Sequence, residues 1–255
     1  MENEGAAITW NGSSGHVSAP PGCKLYFAER GFFYRDGFRL DSAGVNAKSS
    51  LADFDVSPCT RRPLRIRPGY LLVLLQDEGY LAAAGESPNF SGNACFLSRI
   101  VENSALPVVV RPHPQRQPNR ETAEIVHDSA RWDYSPTLGA ALDGAAAVAT
   151  ISSSAAIAAI RRGLPVLCYG AAVYAKPGVA WIMDGSPLQT WARTRQIAAG
   201  HCDLNREAQK MFVHRLAQTE LRTSLLPNCI LPRLAAAFTN RFAPDGAGEK
   251  YHDRD

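Results

Sequence analysis

Two short apolar runs, Val108-Val109-Val110 and Ala145–Thr150, constrain this chain most, because each stops at a polar motif. The first leads into Arg111-Pro112-His113-Pro114, and the second into Ser152-Ser153-Ser154 with Gly163-Leu164-Pro165-Val166 further on. Continuous apolar runs of this length read as parallel strands buried on both faces. Each motif then falls just beyond a strand's C-terminal end, where open α/β sheets bind ligands. Arg111 and His113 offer a guanidinium and an imidazole. The serines offer hydroxyls and, at the start of a helix expected over 154–162, backbone N–H groups. Cations, hydroxyls and a helix N-terminus on one sheet edge suit a phosphate. A His-Pro dipeptide or a serine N-cap is unremarkable alone; the two motifs in order favour phosphate recognition.

Composition narrows the class. With 255 residues, 45% hydrophobic and 20% charged, the chain can bury a sizeable core in one large domain or two small ones. A net charge of +3 is too mild to claim nucleic acid, so no nucleic-acid partner is expected. The basic run from Arg61 to Arg67 reads as a solvated approach to the next strand rather than a binding face. Six scattered cysteines without a C-x-x-C pair argue against zinc or a disulfide framework and fit a reducing cytoplasm. Neither metal nor cofactor is expected. The polar start is unlike a signal peptide, and the apolar stretch 140–160 is interrupted by Asp143, Gly144 and serines, so it reads as strand plus helix.

Along the chain, strands are expected at 8–10, 23–29 and 39–41, the last two joined through Asp36-Gly37, with a short helix over 46–54. Residues 58–68 hold three prolines and read as a linker. Strand and helix then alternate: strands at 70–75, 108–110, 145–150 and 166–169, helices at 91–102, 154–162, 187–199, 205–222 and 228–242. Ser135-Pro136 is read as the opening of a further helix, ending at Leu142. This order implies a parallel sheet with right-handed crossovers. The division expected is 1–65 as an N-terminal α/β portion, 66–243 as a Rossmann-like domain, and 244–255 as a flexible tail.

The ordered motifs resemble the capsular polysaccharide biosynthesis proteins that transfer Kdo (3-deoxy-octulosonate) from CMP-Kdo. The matching stretches are Glu29-Arg30-Gly31-Phe32, Leu40-Asp41 with Gly44, Ser49-Ser50-Leu51, Leu75-Gln76 and Arg111-Pro112-His113-Pro114. They continue through Val148-Ala149-Thr150 and the serines, Arg162-Gly163-Leu164-Pro165-Val166, and Tyr169-Gly170 with Tyr174. The similarity covers about residues 26–174, with a weaker echo over 191–200. It implies a fold of the two-Rossmann, GT-B type with a shortened N-terminal half. It also implies that His113 and the serines hold the CMP phosphate and that the Glu29 loop faces the cleft from the other half. Two positions depart from the pattern: an aspartate of the family falls on Tyr80, with Asp77 and Glu78 nearer the strand, and a glutamate falls on Ala158.

Each candidate has two readings. Asp77 and Glu78 are a nucleophile or base of glycosyl transfer, or a solvated turn before Gly79. Glu29 is a catalytic or acceptor-orienting acid, or a paired strand-end carboxylate. Arg111 is a bidentate phosphate partner or a salt bridge. His113, with Pro114 beside it, is a phosphate ligand in preference to a structural histidine. Tyr174 and Trp181 line a sugar pocket or the core; the remaining histidines are structural or solvated. The expected function is a cytoplasmic glycosyltransferase taking an acidic sugar from a CMP-activated donor to a glycan or glycolipid acceptor. Peripheral association with membrane-bound polysaccharide assembly machinery goes with it. The alternatives are an inactive nucleotide-sugar- or glycan-binding module of the same fold, and a UDP-sugar transferase.

Overall fold

The computed structural model describes residues 5–10, 21, 23–33, 37–56, 60, 62–79, 81 and 85–222. The chain divides into two compact units, residues 1–53 with 215–255, and residues 54–214. The expected division placed the boundary at 65/66 and kept everything through 243 in one domain. The compact units part at 53/54, before the proline-rich stretch, with residues 215–222 grouped with the N-terminal portion. The tail 244–255, the helix over 228–242 and Tyr80 lie outside the described residues.

The smaller unit is built on a four-stranded sheet: β1 (Gly5–Trp10), β2 (Cys23–Arg30), β3 (Gly37–Asp41) and β10 (Leu221–Arg222), in that order. β1 and β2 are parallel, whereas β2–β3 and β3–β10 are antiparallel. Instead of the expected helix over 46–54, two 3-10 turns form at Asn46–Lys48 and Ser50–Asp53. Two local causes are visible. Asn46 takes a left-handed φ of 49°, and Asp41 pulls the Ser49 hydroxyl (2.7 Å) and the Ser50 amide (2.8 Å) toward itself.

The larger unit carries six parallel strands: β4 (Tyr70–Leu74), β5 (Val108–Arg111), β6 (Arg131–Trp132), β7 (Ala145–Thr150), β8 (Val166–Cys168) and β9 (Trp181–Ile182). Their order is β6-β5-β4-β7-β8-β9, the doubly wound arrangement in which the strand sequence reverses between the two central strands. The α/β class and the Rossmann-like parallel sheet are therefore as expected. β7 is alanine-rich and wholly buried, as a central strand covered on both faces must be. Register aligns the C-terminal ends: Leu74 opposes both Arg111 and Thr150, and Thr150 opposes Cys168. All the motifs beyond these residues consequently emerge on one edge.

The helices are α1 (Asn93–Asn103), α2 (Arg120–Ser129), α3 (Leu138–Asp143), α4 (Ala156–Arg162), α5 (Pro187–Ala198) and α6 (Arg206–Gln218). Phe96, Leu97 and Ile100 of α1 are buried, and Val101 packs beside them. Phe90, Phe96 and Tyr169 meet edge to face beneath the sheet. α4 ends at Gly163, whose φ of 78° makes it a left-handed C-cap and explains the Arg-Gly-Leu-Pro stretch.

Two helix boundaries are moved by tertiary contacts, and one helix is additional. α3 starts after Thr137, because the Ser135 amide donates to Asp133 and its carbonyl accepts from Arg111. α6 stops at Gln218, because Leu221–Arg222 pairs with Gly37 and Phe38 as a strand. α2 was not anticipated; Asn119 caps it by accepting from the Thr122 amide at 2.8 Å. On α6, Ala208, Phe212 and Leu216 are buried, whereas Met211 is exposed. Among the described residues, no helix is long and apolar enough to cross a membrane.

Candidate active site

The aligned strand ends deliver a cleft of ≈ 230 Å³ beyond β4 and β5, lined by Leu75–Gly79, Asn93, His113 and Arg116–Asn119. Two loops and two helix N-termini build it. Asn93, at the start of α1, accepts from the Gln76 amide (3.2 Å) and donates to the Gln76 carbonyl (2.7 Å), which fixes the loop after β4. The Glu78 carboxylate then accepts from the Asn93 amide at 3.0 Å, capping α1 from outside the helix. The Asn119 side-chain amide approaches the same carboxylate at 3.5 Å.

His113 stands across the cleft. Its Nδ1 accepts from the Gln115 amide at 3.3 Å, which assigns the proton of the neutral ring to Nε2 and leaves that nitrogen a donor. Burial holds its pKa below the usual 6.5; Asp77 pulls it upward and Arg116 pushes it down, without reversing the effect of burial. A neutral imidazole donor is thereby set near neutral pH. Arg116 Nε donates to Asp77 Oδ2 at 2.7 Å, with 68% of the arginine side chain exposed. Arg116 carried no sequence motif. Its place three residues beyond His113 in a tight turn, where its amide donates to the His113 carbonyl, was the available signal.

The other expected residues sit elsewhere. Arg111 donates to Asp133 and to the Ser135 carbonyl, stapling the end of β5 to the segment after β6. Pro114 is exposed. Ser152 is buried at 1% exposure, its hydroxyl bonded to Gln76 (3.0 Å) and to the Glu86 carboxylate (2.5 Å), while its amide donates to Gln76 Oε1. This Gln76–Ser152–Glu86 group bridges β4 and β7 at the point where the strand order reverses. The open cleft therefore lies one strand over, toward β5. Glu86 was missed by sequence; Gly170 admits it, since a Cβ there would come within 2.1 Å of the Glu86 carbonyl.

Ser153 is half-buried, accepting from the Ala155 amide through its hydroxyl and from the Tyr174 hydroxyl (2.8 Å) through its carbonyl. Ser154 is exposed at the entry to α4. None of Arg111, Pro114 or Ser152–Ser154 lines the cleft. Tyr174 and Trp181 belong to the core. His127, His201 and His214 are exposed; His16 and His252 lie outside the described residues. In the smaller unit Glu29 is ion-paired with Arg39 at 2.6 Å.

Comparison with known proteins places this geometry. No curated protein matches the chain by sequence. Among solved structures it is similar to the beta Kdo 2,7 transferase of KpsC from Thermosulfurimonas dismutans, at 18% identity and a TM-score of 0.61. That match covers 92% of this chain and 86% of the other. The beta Kdo 2,4 transferase of the same KpsC aligns at 13% identity and a TM-score of 0.36, covering 75% of this chain and 80% of the other. The first likeness concerns the fold. Residues 41–214, well over half of the sequence, match the family described as capsule polysaccharide biosynthesis protein. The chain belongs to the capsule polysaccharide biosynthesis protein family.

Proposed function

We propose that this protein is a glycosyltransferase of surface polysaccharide biosynthesis, moving an acidic sugar such as Kdo from a CMP-activated donor to a glycan or glycolipid acceptor. The observation that carries the reading is His113, a neutral imidazole with its Nε2 proton available in a cleft at the strand ends. When the bond between the anomeric carbon and the phosphate oxygen breaks, negative charge grows on the departing CMP. A prealigned N–H donor and a nearby guanidinium stabilise that charge more than they stabilise the bound donor. Asp77 is the loop carboxylate for the nucleophile or base role, because Glu78 is committed to the N-terminus of α1. Ser153 and Ser154 are the serines remaining for a second phosphate or ribose contact. A GT-B arrangement, a cytoplasmic location and peripheral association with a membrane-bound assembly complete the proposal, with family membership and the fold shared with a Kdo transferase as support.

A non-catalytic nucleotide-sugar-binding module remains the second reading, favoured by one observation. Both loop carboxylates are already engaged, Asp77 with Arg116 and Glu78 with Asn93. Calorimetric titration with CMP, CMP-Kdo and UDP tests the shared site. Binding of the cytidine ligands in preference to UDP is expected, and no binding of any at millimolar concentration would end the proposal. CMP release from CMP-Kdo that disappears in Asp77→Asn excludes the module.

A further inference from the structure

The connection from β4 to α1 holds a particular place in the larger sheet. The strand order β6-β5-β4-β7-β8-β9 is that of the dinucleotide-binding fold, with β4 in the position of that fold's first strand. There the first strand-to-helix turn cradles a pyrophosphate against the backbone N–H groups of the helix N-terminus. In this protein the same position is filled from within. Gly92, the N-cap of α1, has no side chain to cap the helix. The Glu78 carboxylate accepts from the Asn93 amide at 3.0 Å instead. A Cβ at Gly92 would come within 3.1 Å of Glu78 Oε1, so the glycine leaves room for that carboxylate. The side-chain amide of Asn119, the N-cap of α2, lies 3.5 Å from each Glu78 oxygen. Glu78 is thus set between two helix starts, and Asn93, Asn119 and Glu78 all line the cleft that holds His113.

We propose that Glu78 is a specificity-determining residue that limits the bound nucleotide to one phosphate, admitting nucleoside-monophosphate donors and rejecting nucleoside-diphosphate donors. The proposal rests on the function proposed above and adds the residue that separates the two donor classes. A single phosphate beside His113 leaves the start of α1 to Glu78. The second phosphate of a diphosphate belongs, in this fold, at the helix amides that Glu78 already occupies. Displacing Glu78 takes a favourable negative charge from the N-terminus of α1. Keeping it sets like charges side by side. Either outcome costs a diphosphate affinity that a monophosphate keeps.

Calorimetric titration of the whole chain with CMP and with CDP tests this, because the two ligands differ by one phosphate. Wild type, Glu78→Gln and Asp77→Asn are compared. Wild type is expected to bind CMP more tightly than CDP. Glu78→Gln keeps an oxygen acceptor for the Asn93 amide and removes the charge. Affinity for CDP relative to CMP should then rise about fivefold at low ionic strength, the size of one unit-charge repulsion at about 4 Å in water. Asp77→Asn removes the neighbouring carboxylate charge and leaves α1 capped, so it should move the ratio by less. Glu78→Ser repeats the arm if Glu78→Gln melts early. Wild type that binds CDP as tightly as CMP overturns the proposal. So does a ratio that Glu78→Gln leaves unchanged, or that Asp77→Asn moves equally. If wild type binds neither nucleotide, the function proposed above fails and the selection with it; CMP binding without the change of ratio removes the selection alone.

Discussion

The two units each set a guanidinium among carboxylates, and they treat the group oppositely. In the smaller unit Arg39 is 2% exposed and donates to Glu29 (2.6 Å), Ser49 (3.0 Å) and Thr219 (3.1 Å). Ser49 in turn donates to Asp41, which also accepts from Ser50 and from the Ala43 amide. In the larger unit Arg116 reaches Asp77 from solvent. A buried network cannot lose a member without stranding a charge in low dielectric, so its cost on disruption is high. An exposed pair can be broken and remade with water filling in. The first arrangement is suited to holding a sheet and its loop together, whereas the second adds little to stability.

Arg39→Met carries the largest expected effect. Removing the guanidinium deletes the ion pair to Glu29 and the bonds to Ser49 and Thr219 from a site where the arginine is 2% exposed. A loss of about 3–5 kcal/mol is expected, seen as a fall in melting temperature of roughly 10 °C. Arg116→Gln should move the same transition by less than about 2 °C. Similar falls in the two variants would erase the distinction between the units.

Ser152→Ala is next. It removes a hydroxyl between Gln76 and the buried Glu86, at an expected cost of about 1–3 kcal/mol. A melt several degrees lower should accompany a CMP affinity per folded molecule that is unchanged. Weakened binding at unchanged stability would return Ser152 to the phosphate site.

Acid sensitivity gives smaller effects. Burial alone would raise the Asp41 pKa, but the bonds from Ser49, Ala43 and Ser50 outweigh it and hold the value below 3.8. That stabilisation is complete above the ordinary carboxylate range and is lost as pH falls through the lowered value. His113 is held below 6.5 by burial, so the fold favours its neutral form. Its contribution is present above 6.5 and is lost as pH falls through the lowered value. Melts of His113→Asn against pH should therefore flatten the slope just below 6.5 and leave the more acid limb, where Asp41 acts, as in wild type. An unaltered slope below 6.5 would show that His113 is not held neutral.

Much of the larger sheet was legible, because buried parallel strands announce themselves as apolar runs and the polar motifs follow directly from them. β6 and β9 were not, each being two residues long and formed by pairing at an edge. The site was legible by strand, less so by residue. The Arg-Pro-His-Pro run brings His113 to the cleft beyond β5, but the Arg111 side chain is held by Asp133, twenty-two residues away. The serine triplet follows β7 on the same sheet edge, yet Ser152 is drawn inward by Glu86, sixty-six residues upstream. Arg116 and Glu78 gain their roles from Asp77 and from the start of α1, contacts that no spacing encodes. In the smaller unit, Asp41 overrode local helical preference in the same way.

A hydrogen bond from His113 Nε2–H to a nucleotide phosphate is checked by His113→Ala, with CMP affinity and melting temperature measured on one preparation. Losing that bond should weaken CMP binding by about ten- to a hundredfold, equivalent to roughly 1–3 kcal/mol, with the melting temperature within about 2 °C of wild type. A variant that binds CMP as wild type does, above all one that melts several degrees lower, would contradict the account and return His113 to a purely structural role.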